Sequence, residues 1–320
     1  MTGRHLVAVL LIMALFGSAY PVGKLGVDHF PPFAFASLRS SVLALALLPL
    51  WRLAAPPPGR RLALAGFCAS MGVGVYATMY TALSLADTVA PIVIGTQLSV
   101  PFAVLLGRLV LGERVRRLTW CAIAAAFAGV LVIAFEPALA KDLVALATIA
   151  ACALCYAAAT LCARSLRDVP PFMMNGWMAV TAIGPLVLLS AAFEAGQWQA
   201  LATAGALDWF VLLHSALAVS LIAHVGMFAL YRYYPVAHVI PYYVLMPVFG
   251  IAFSLVLFTE IPSVQTLLGG AVVITATWVV NRSTAGDPGG RRTGTVPGEV
   301  PESPPRAGAV AAGDGEASGR

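Results

Sequence analysis

The chain has 320 residues, of which 60% are hydrophobic and 10% are charged. A soluble chain carries about 25% charged residues because most of its surface meets water, so this composition excludes an ordinary water-soluble globular protein. The formal net charge of +5 comes from basic residues set between long apolar blocks, not gathered on one face, which argues against a nucleic-acid partner.

Ten apolar blocks are predicted to cross a bilayer, and the fold class is an all-α integral membrane protein. The blocks run 5–26, 33–53, 62–84, 89–111, 118–136, 143–163, 172–193, 208–230, 237–259 and 264–281. Each is close to the ~20 residues that cover ~30 Å of hydrocarbon at 1.5 Å per residue. The first is too long for a signal-peptide core, and no small-x-small cleavage site follows it, so it is expected to stay as a helix. Turn residues mark the short connections: Pro31-Pro32, Pro56-Pro57-Pro58-Gly59 and Pro170-Pro171. Beyond Arg282 the chain turns rich in Gly, Pro, Ser, Arg and Asp and loses apolar periodicity. Such a segment buries too little surface to offset its chain entropy, so residues 283–320 are expected to be a disordered cytoplasmic tail.

Orientation follows from Lys and Arg, which favour cytoplasmic loops. With the N-terminus inside, the inner loops carry Arg4, Arg52, Arg60, Arg61, Arg108, Arg114, Arg116, Arg117, Arg164, Arg167, Arg232 and Arg282, and the outer loops only Lys24 and Lys141. Twelve against two predicts a multi-pass protein of the cytoplasmic membrane with both termini cytoplasmic, and it supports an even number of spans.

The chain also resembles itself. Phe30-Pro31-Pro32-Phe33 matches Val169-Pro170-Pro171-Phe172. Val100-Pro101-Phe102, followed by Leu109-Val110-Leu111-Gly112-Glu113, matches Met246-Pro247-Val248-Phe249, followed by Leu257-Phe258-Thr259-Glu260. Two five-helix repeats, 1–137 and 138–282, are therefore expected. Five is odd, so the repeats cross in opposite senses, and inverted repeats place a substrate near the midplane between halves.

On these residues the chain resembles the EamA branch of the drug/metabolite transporter superfamily over about residues 5–282. The first half carries the resemblance in Phe33-Ala34-Phe35-Ala36-Ser37-Leu38-Arg39, Leu111-Gly112-Glu113 and Gly129-Val130-Leu131-Val132-Ile133. The second half carries it in Tyr231-Arg232-Tyr233, Leu245-Met246-Pro247-Val248-Phe249-Gly250 and Glu260. Stretches 90–113 and 226–260 look most like exporters of O-acetylserine and cysteine. Phe16-Gly17 and Glu260-Ile261 depart from the Trp-Gly and Glu-Arg pairs usual there. The resemblance implies a secondary transporter that exports a small metabolite, an amino acid or an amino-acid derivative, and implies use of the proton gradient.

Candidate site residues come from polar groups inside spans. Arg39 is an ionisable group in span 2, costly there unless it meets a cavity or a partner; it either pairs with a substrate carboxylate or snorkels outward and pairs with Asp28. Gln97 sits mid-span before Pro101, where an amide can donate and accept toward a substrate or bond a neighbouring helix. Pro101 and Pro247 interrupt helices at matching places and free backbone carbonyls, which points to a midplane site. Tyr20, Tyr76, Tyr80, Trp177, Tyr242 and Tyr243 can line a pocket, with Tyr80 and Tyr242 the foremost candidates. His224 and His214 are the proton-coupling candidates, since imidazole titrates near neutral pH; either can instead be a core histidine with its bonds satisfied.

Glu113 and Glu260 end spans 4 and 9 and are read as helix-end groups, and the five cysteines, all within spans, as small packing residues. Ala125 and Gly129 allow close helix approach, within the chain or in a homodimer. No cofactor and no metal is expected. The partners are a small-molecule substrate and the lipid bilayer. No zinc-protease, nucleophile-elbow or paired-carboxylate pattern supports a polytopic membrane enzyme, and no filter-like segment supports a channel-like facilitator.

Overall fold

A backbone in hydrocarbon must satisfy each N–H and C=O within its own segment, so the apolar blocks fold as helices. The computed structural model describes residues 3–51, 59–136, 142–234 and 239–285, and no strand occurs among them. In chain order the helices are α1 (Gly3–His29), α2 (Pro32–Trp51), α3 (Arg61–Phe67, Cys68–Val75 and Tyr76–Leu85), α4 (Ala90–Gly95, Thr96–Leu98 and Ser99–Leu111) and α5 (Arg117–Ala134). They continue as α6 (Leu143–Arg164), α7 (Pro171–Phe193), α8 (Ala206–Leu213, His214–Ala223 and His224–Tyr233), α9 (Ile240–Val244 and Leu245–Phe258) and α10 (Val264–Ala285). A short connecting helix, Gln197–Thr203, precedes α8.

Nine of the described helices are long and apolar enough to cross a membrane; the apolar stretch of α9, Tyr242–Phe258, is shorter. Leu109, Val110, Leu131, Leu188 and Val256 are each more than half exposed. Apolar exposure on this scale marks a surface that faces lipid instead of water. The protein is a multi-pass membrane protein.

Local chemistry sets the boundaries. Pro32 and Pro171 stand at the first helical position of α2 and α7, where a missing N–H costs nothing. Gly112 ends α4 with φ of 67°, and Thr259 ends α9 with φ of 55°, the one described non-glycine residue in that left-handed region. The helix α10 runs to Ala285, beyond the expected start of the tail at 283; residues 286–320 lie outside the described residues. Pro56, Pro57, Pro58, Arg52 and Lys141 lie outside them as well.

Four helices depart from a plain α pitch. Cys68–Val75 in α3 and His214–Ala223 in α8 are wide π-helical stretches. Thr96–Leu98 in α4 and Ile240–Val244 in α9 are tight 3₁₀ stretches, each followed by an α segment whose third residue is proline. The proline removes the donor for the carbonyl four residues back, Gln97 or Tyr243; the tight turn beforehand compensates, with Ser99 N–H donating to the Gln97 and Thr96 carbonyls and Leu245 N–H to those of Tyr243 and Tyr242.

Packing runs along defined pairs: α5 on α10, α2 on α7, α1 on α9 and α8, α4 and α3 on α6, α2 on α8, and α3 on α7. Gly129 faces Gly269, where a Cβ would stand 2.8 Å from the Gly269 carbonyl oxygen, so the close approach foreseen at Gly129 is made between α5 and α10 within the chain. Four of the five cysteines are buried or half-buried; Cys121 is instead exposed on α5.

Side-chain bonds sort the helix ends into two sets. One end is arginine-rich: Arg60 pairs with Asp168 at 2.9 Å, and Arg164 with Glu113 at 2.6 Å. At the other end Lys24 pairs with Asp28 at 3.2 Å, and carboxylates bond backbone amides. Glu194 accepts from Phe33 N–H at 2.6 Å and Ala34 N–H at 3.0 Å, Glu260 from Val89 N–H at 2.9 Å, and Asp142 from Asp87 N–H at 3.1 Å. Glu136 accepts from Ser263 at 2.7 Å and Thr266 at 2.9 Å. This second end is the acidic end.

Candidate functional site

Arg39 stands seven residues into α2, about 10 Å below the acidic end at 1.5 Å per residue. It is 3% exposed. It does not snorkel, and it does not reach Asp28, which pairs with Lys24. Its Nε donates to the Ser215 carbonyl at 3.2 Å, and one terminal nitrogen donates to the Tyr76 hydroxyl at 3.2 Å and to the Ser220 hydroxyl. The guanidinium carbon lies 3.9 Å over the Tyr76 ring. The other terminal nitrogen, Nη1, is buried without a hydrogen-bond partner.

The nine described carboxylates (Asp28, Asp87, Glu113, Glu136, Asp142, Asp168, Glu194, Asp208 and Glu260) all stand at helix ends or in connections. Arg39 is thus a buried cation held by neutral groups. Burying an ion without a counter-ion costs several kcal/mol even after relaxation.

Its neighbours come from both parts of the chain. Tyr76 and Tyr80 lie one turn apart on α3 with ring centroids 6.3 Å apart, and Tyr80 meets Phe35 edge-on at 4.9 Å. Tyr156 on α6 and Tyr80 are within electrostatic range of Arg39. Ser215 and Ser220 lie on the wide stretch of α8, where the Ser220 hydroxyl donates to the Ser215 carbonyl five residues back at 3.3 Å. Five-residue spacing aligns these serines only because the turn is wide. In an ordinary α pitch of 3.6 residues they would diverge.

Of the residues singled out from the sequence, the structure brings Arg39, Tyr76 and Tyr80 together. His224 joins them at the edge: it follows Ser220 by four residues, lies within electrostatic range of Arg39, and meets Phe16 edge-on at 5.0 Å. Its Nδ1 sits 3.1 Å from the Val219 carbonyl, which can only accept, so Nδ1 carries the hydrogen and Nε2 is the atom that would take a proton. His214 lies 3.3 Å from the Ser18 hydroxyl through Nε2. Ser18 spends its hydrogen on the Leu15 carbonyl at 2.8 Å, so His214 donates through Nε2 and its buried Nδ1 has no partner.

Gln97 is buried in the 3₁₀ turn of α4, and its side-chain nitrogen has no partner. Its neighbour Thr96 receives the Tyr20 hydroxyl at 3.1 Å and donates to the Val93 carbonyl at 2.7 Å. Pro101 and Pro247 are both buried. Tyr242 is not beside Arg39: it packs against a separate apolar cluster of Val9, Ile12, Met13, Phe16 and Met227. Sequence reading passed over Ser215, Ser220, Tyr156 and the buried Asn175, whose amide nitrogen also lacks a partner.

A cleft of about 380 Å³ opens between α3 and α7, lined by Arg61, Leu64, Cys68, Val73, Trp177, Thr181 and Pro185. It runs from the arginine-rich end toward the wide stretch of α3 and is almost wholly apolar. Among the described residues no His, Cys, Asp and Glu cluster could hold a metal ion.

The model of the EamA-like transporter family matches residues 4–135 and again 143–282. A protein of Salmonella typhimurium described as "Probable amino-acid metabolite efflux pump" is 28% identical over 283 residues, which span 85% of this chain and 92% of the relative. A protein of known crystal structure, 18% identical, superposes with a TM-score of 0.58 over 87% of this chain and 96% of its own, a likeness of fold alone.

Proposed function

For a chain that belongs to the EamA-like transporter family, we propose a secondary carrier that exports a small carboxylate-bearing metabolite, an amino acid or amino-acid derivative, through a site centred on Arg39. The observation that carries this reading is the buried guanidinium with no anionic partner and one bare nitrogen, Nη1. A substrate carboxylate would supply the missing charge, and guanidinium nitrogens match a carboxylate in geometry. Tyr80 lines that site; Gln97 and Tyr242 are further contacts of the same path. Export, and a substrate of the amino-acid type, are supported by the description of the Salmonella typhimurium relative.

The carrier reading includes ten spans in two five-helix halves, 1–137 and 138–282, in opposite senses. Its support is local. The wide stretches of α3 and α8, the 3₁₀-then-proline stretches of α4 and α9, and the left-handed residues Gly112 and Thr259 fall at corresponding places. Exchanging the halves also turns the packing of α1 on α9 into α6 on α4, and of α2 on α8 into α7 on α3. Both termini are assigned to the cytoplasm from the arginine-rich end. Pro101 and Pro247 mark the interruptions where the halves meet the substrate, and His224, with His214 as its reserve, is the proton carrier. A homodimer stays part of this reading, but Ala125 and Gly129, the small residues named for it, pack within the chain.

The test is flux of a radiolabelled panel of amino acids and amino-acid derivatives across proteoliposomes holding the full-length protein. Saturable flux that is weakened by Arg39→Gln supports the reading. Saturable flux unchanged by that substitution moves the site elsewhere.

A further inference from the structure

The charges around Arg39 say more than that a carboxylate would fit. An amino acid is a zwitterion, and its ammonium is attached to the carbon next to the carboxyl group. Wherever Arg39 held the carboxylate, that ammonium would sit close to the same guanidinium. The groups near Arg39 are the tyrosines Tyr76, Tyr80 and Tyr156, the serines Ser215 and Ser220, and His224. None of them carries a negative charge at neutral pH, and His224, once protonated, would add a second positive charge. Every described carboxylate stands at a helix end or in a connection. The site therefore has an anion-binding pole and no cation-binding pole.

We infer that the site selects a monoanion, a carboxylate whose amine is acylated or replaced by a keto group, over the free zwitterionic amino acid. This rests on the reading of Arg39 as the substrate site. A monoanion completes the charge of the buried guanidinium and brings no cation in. A zwitterion brings an ammonium that must be desolvated beside a like charge, with only uncharged groups (hydroxyls, a backbone carbonyl, the His224 Nε2 lone pair and aromatic faces) and no carboxylate to receive it. The Tyr76 face, the nearest such surface, is already covered by Arg39 itself.

The experiment uses proteoliposomes of the full-length protein and matched sets built on alanine, serine, leucine and phenylalanine: the free amino acid, its N-acetyl derivative, its 2-oxo acid and its methyl ester. Protein-free liposomes supply the leak to be subtracted. Initial rates at equal concentration should favour the N-acetyl and 2-oxo forms at least ten-fold over the free amino acid, which corresponds to about 1.4 kcal/mol. The cationic methyl ester should not be carried. Arg39→Gln should erase the difference between the anionic and zwitterionic forms. Free amino acids carried as fast as, or faster than, their N-acetyl and 2-oxo partners would overturn the inference while leaving the transport reading intact. If no member of any set moves, the transport reading falls, and the inference falls with it.

Discussion

Replacing Arg39 with methionine separates a binding group from a structural strut. Methionine keeps the length of the side chain and fills irregular space, but it removes the charge and three hydrogen bonds. The groups left behind are the Ser215 carbonyl, the Ser220 hydroxyl and the Tyr76 hydroxyl. The first two already bond each other at 3.3 Å, so one orphan remains. An unsatisfied buried polar group costs about 1–3 kcal/mol. Against it stands relief of the desolvated cation, worth several kcal/mol. The two nearly cancel, so the variant should melt within about 3 °C of the parent in detergent, the shift that ~2 kcal/mol gives a chain of 320 residues. Transport should not be spared: losing a charge-assisted bond to the substrate costs about 1.5–3 kcal/mol, or roughly ten-fold to a hundred-fold in apparent affinity. The assay is a thermal melt alongside KM for whichever substrate the wild type carries. A melt lowered far beyond that range with KM unchanged would show that Arg39 holds the helices together and touches no substrate.

Three further outcomes are expected. Gln97→Ala should raise KM roughly ten-fold at normal expression, since a buried amide with a bare nitrogen is free to bond a ligand; an unchanged KM returns Gln97 to helix packing. His224→Gln cannot take up a proton at Nε2, so concentrative transport should stop while exchange of substrate persists, and a variant that still concentrates substrate rules His224 out as the carrier of the proton. Burial pushes the Asp142 carboxyl above its ordinary value, so the folded chain binds that proton more tightly than the unfolded chain. Its contribution to stability is fully present below the unfolded value and is lost as pH rises through the folded one. Asp142→Asn keeps an acceptor for the Asp87 amide and should melt higher than the parent near neutral pH but not near pH 4; a parent and variant whose melting curves shift in parallel across that range would contradict the assignment.

Much of the fold was legible because hydrocarbon leaves the backbone few choices. The predicted block 143–163 is α6 to within a residue, and Pro171 opens α7 where the Pro-Pro pair placed it. The proposed repeat rests in sequence on proline and glutamate, residues whose backbone or charge constrains position. The site was legible only in part. Arg39 stands out in an apolar span as a costly group. Its acceptors do not, because Ser215 and Ser220 align across a wide turn, and serine has no sequence signature for a π-helical stretch. The place of Tyr242 was not legible for a related reason: aromatic residues before Pro247 read alike in sequence, and the structure packs Tyr242, in the 3₁₀ turn of α9, against the cluster of Val9 and Met13.

The two ends are tied with different strength, and that bears on how a carrier could open. At the arginine-rich end the ties are ion pairs, Arg60 with Asp168 and Arg164 with Glu113, whose side chains are 36–81% exposed. Exposed pairs contribute about 0–1 kcal/mol each and weaken in salt. At the acidic end Glu194 receives two amides at the start of α2, Glu260 one at the start of α4, and Glu136 two hydroxyls at the start of α10. Carboxylates there also meet the positive ends of helix dipoles, worth up to about 2 kcal/mol where partly buried. Hydrogen bonds to charged groups add about 1.5–3 kcal/mol each. Glu194 and Glu260 lie in the matched segment 143–282 and cap helices of the segment 4–135, while Glu136, one residue past the first segment, caps α10 of the second. Separating those segments at the acidic end therefore breaks the stronger set of bonds. The apolar cleft between α3 and α7 lies toward the weaker one.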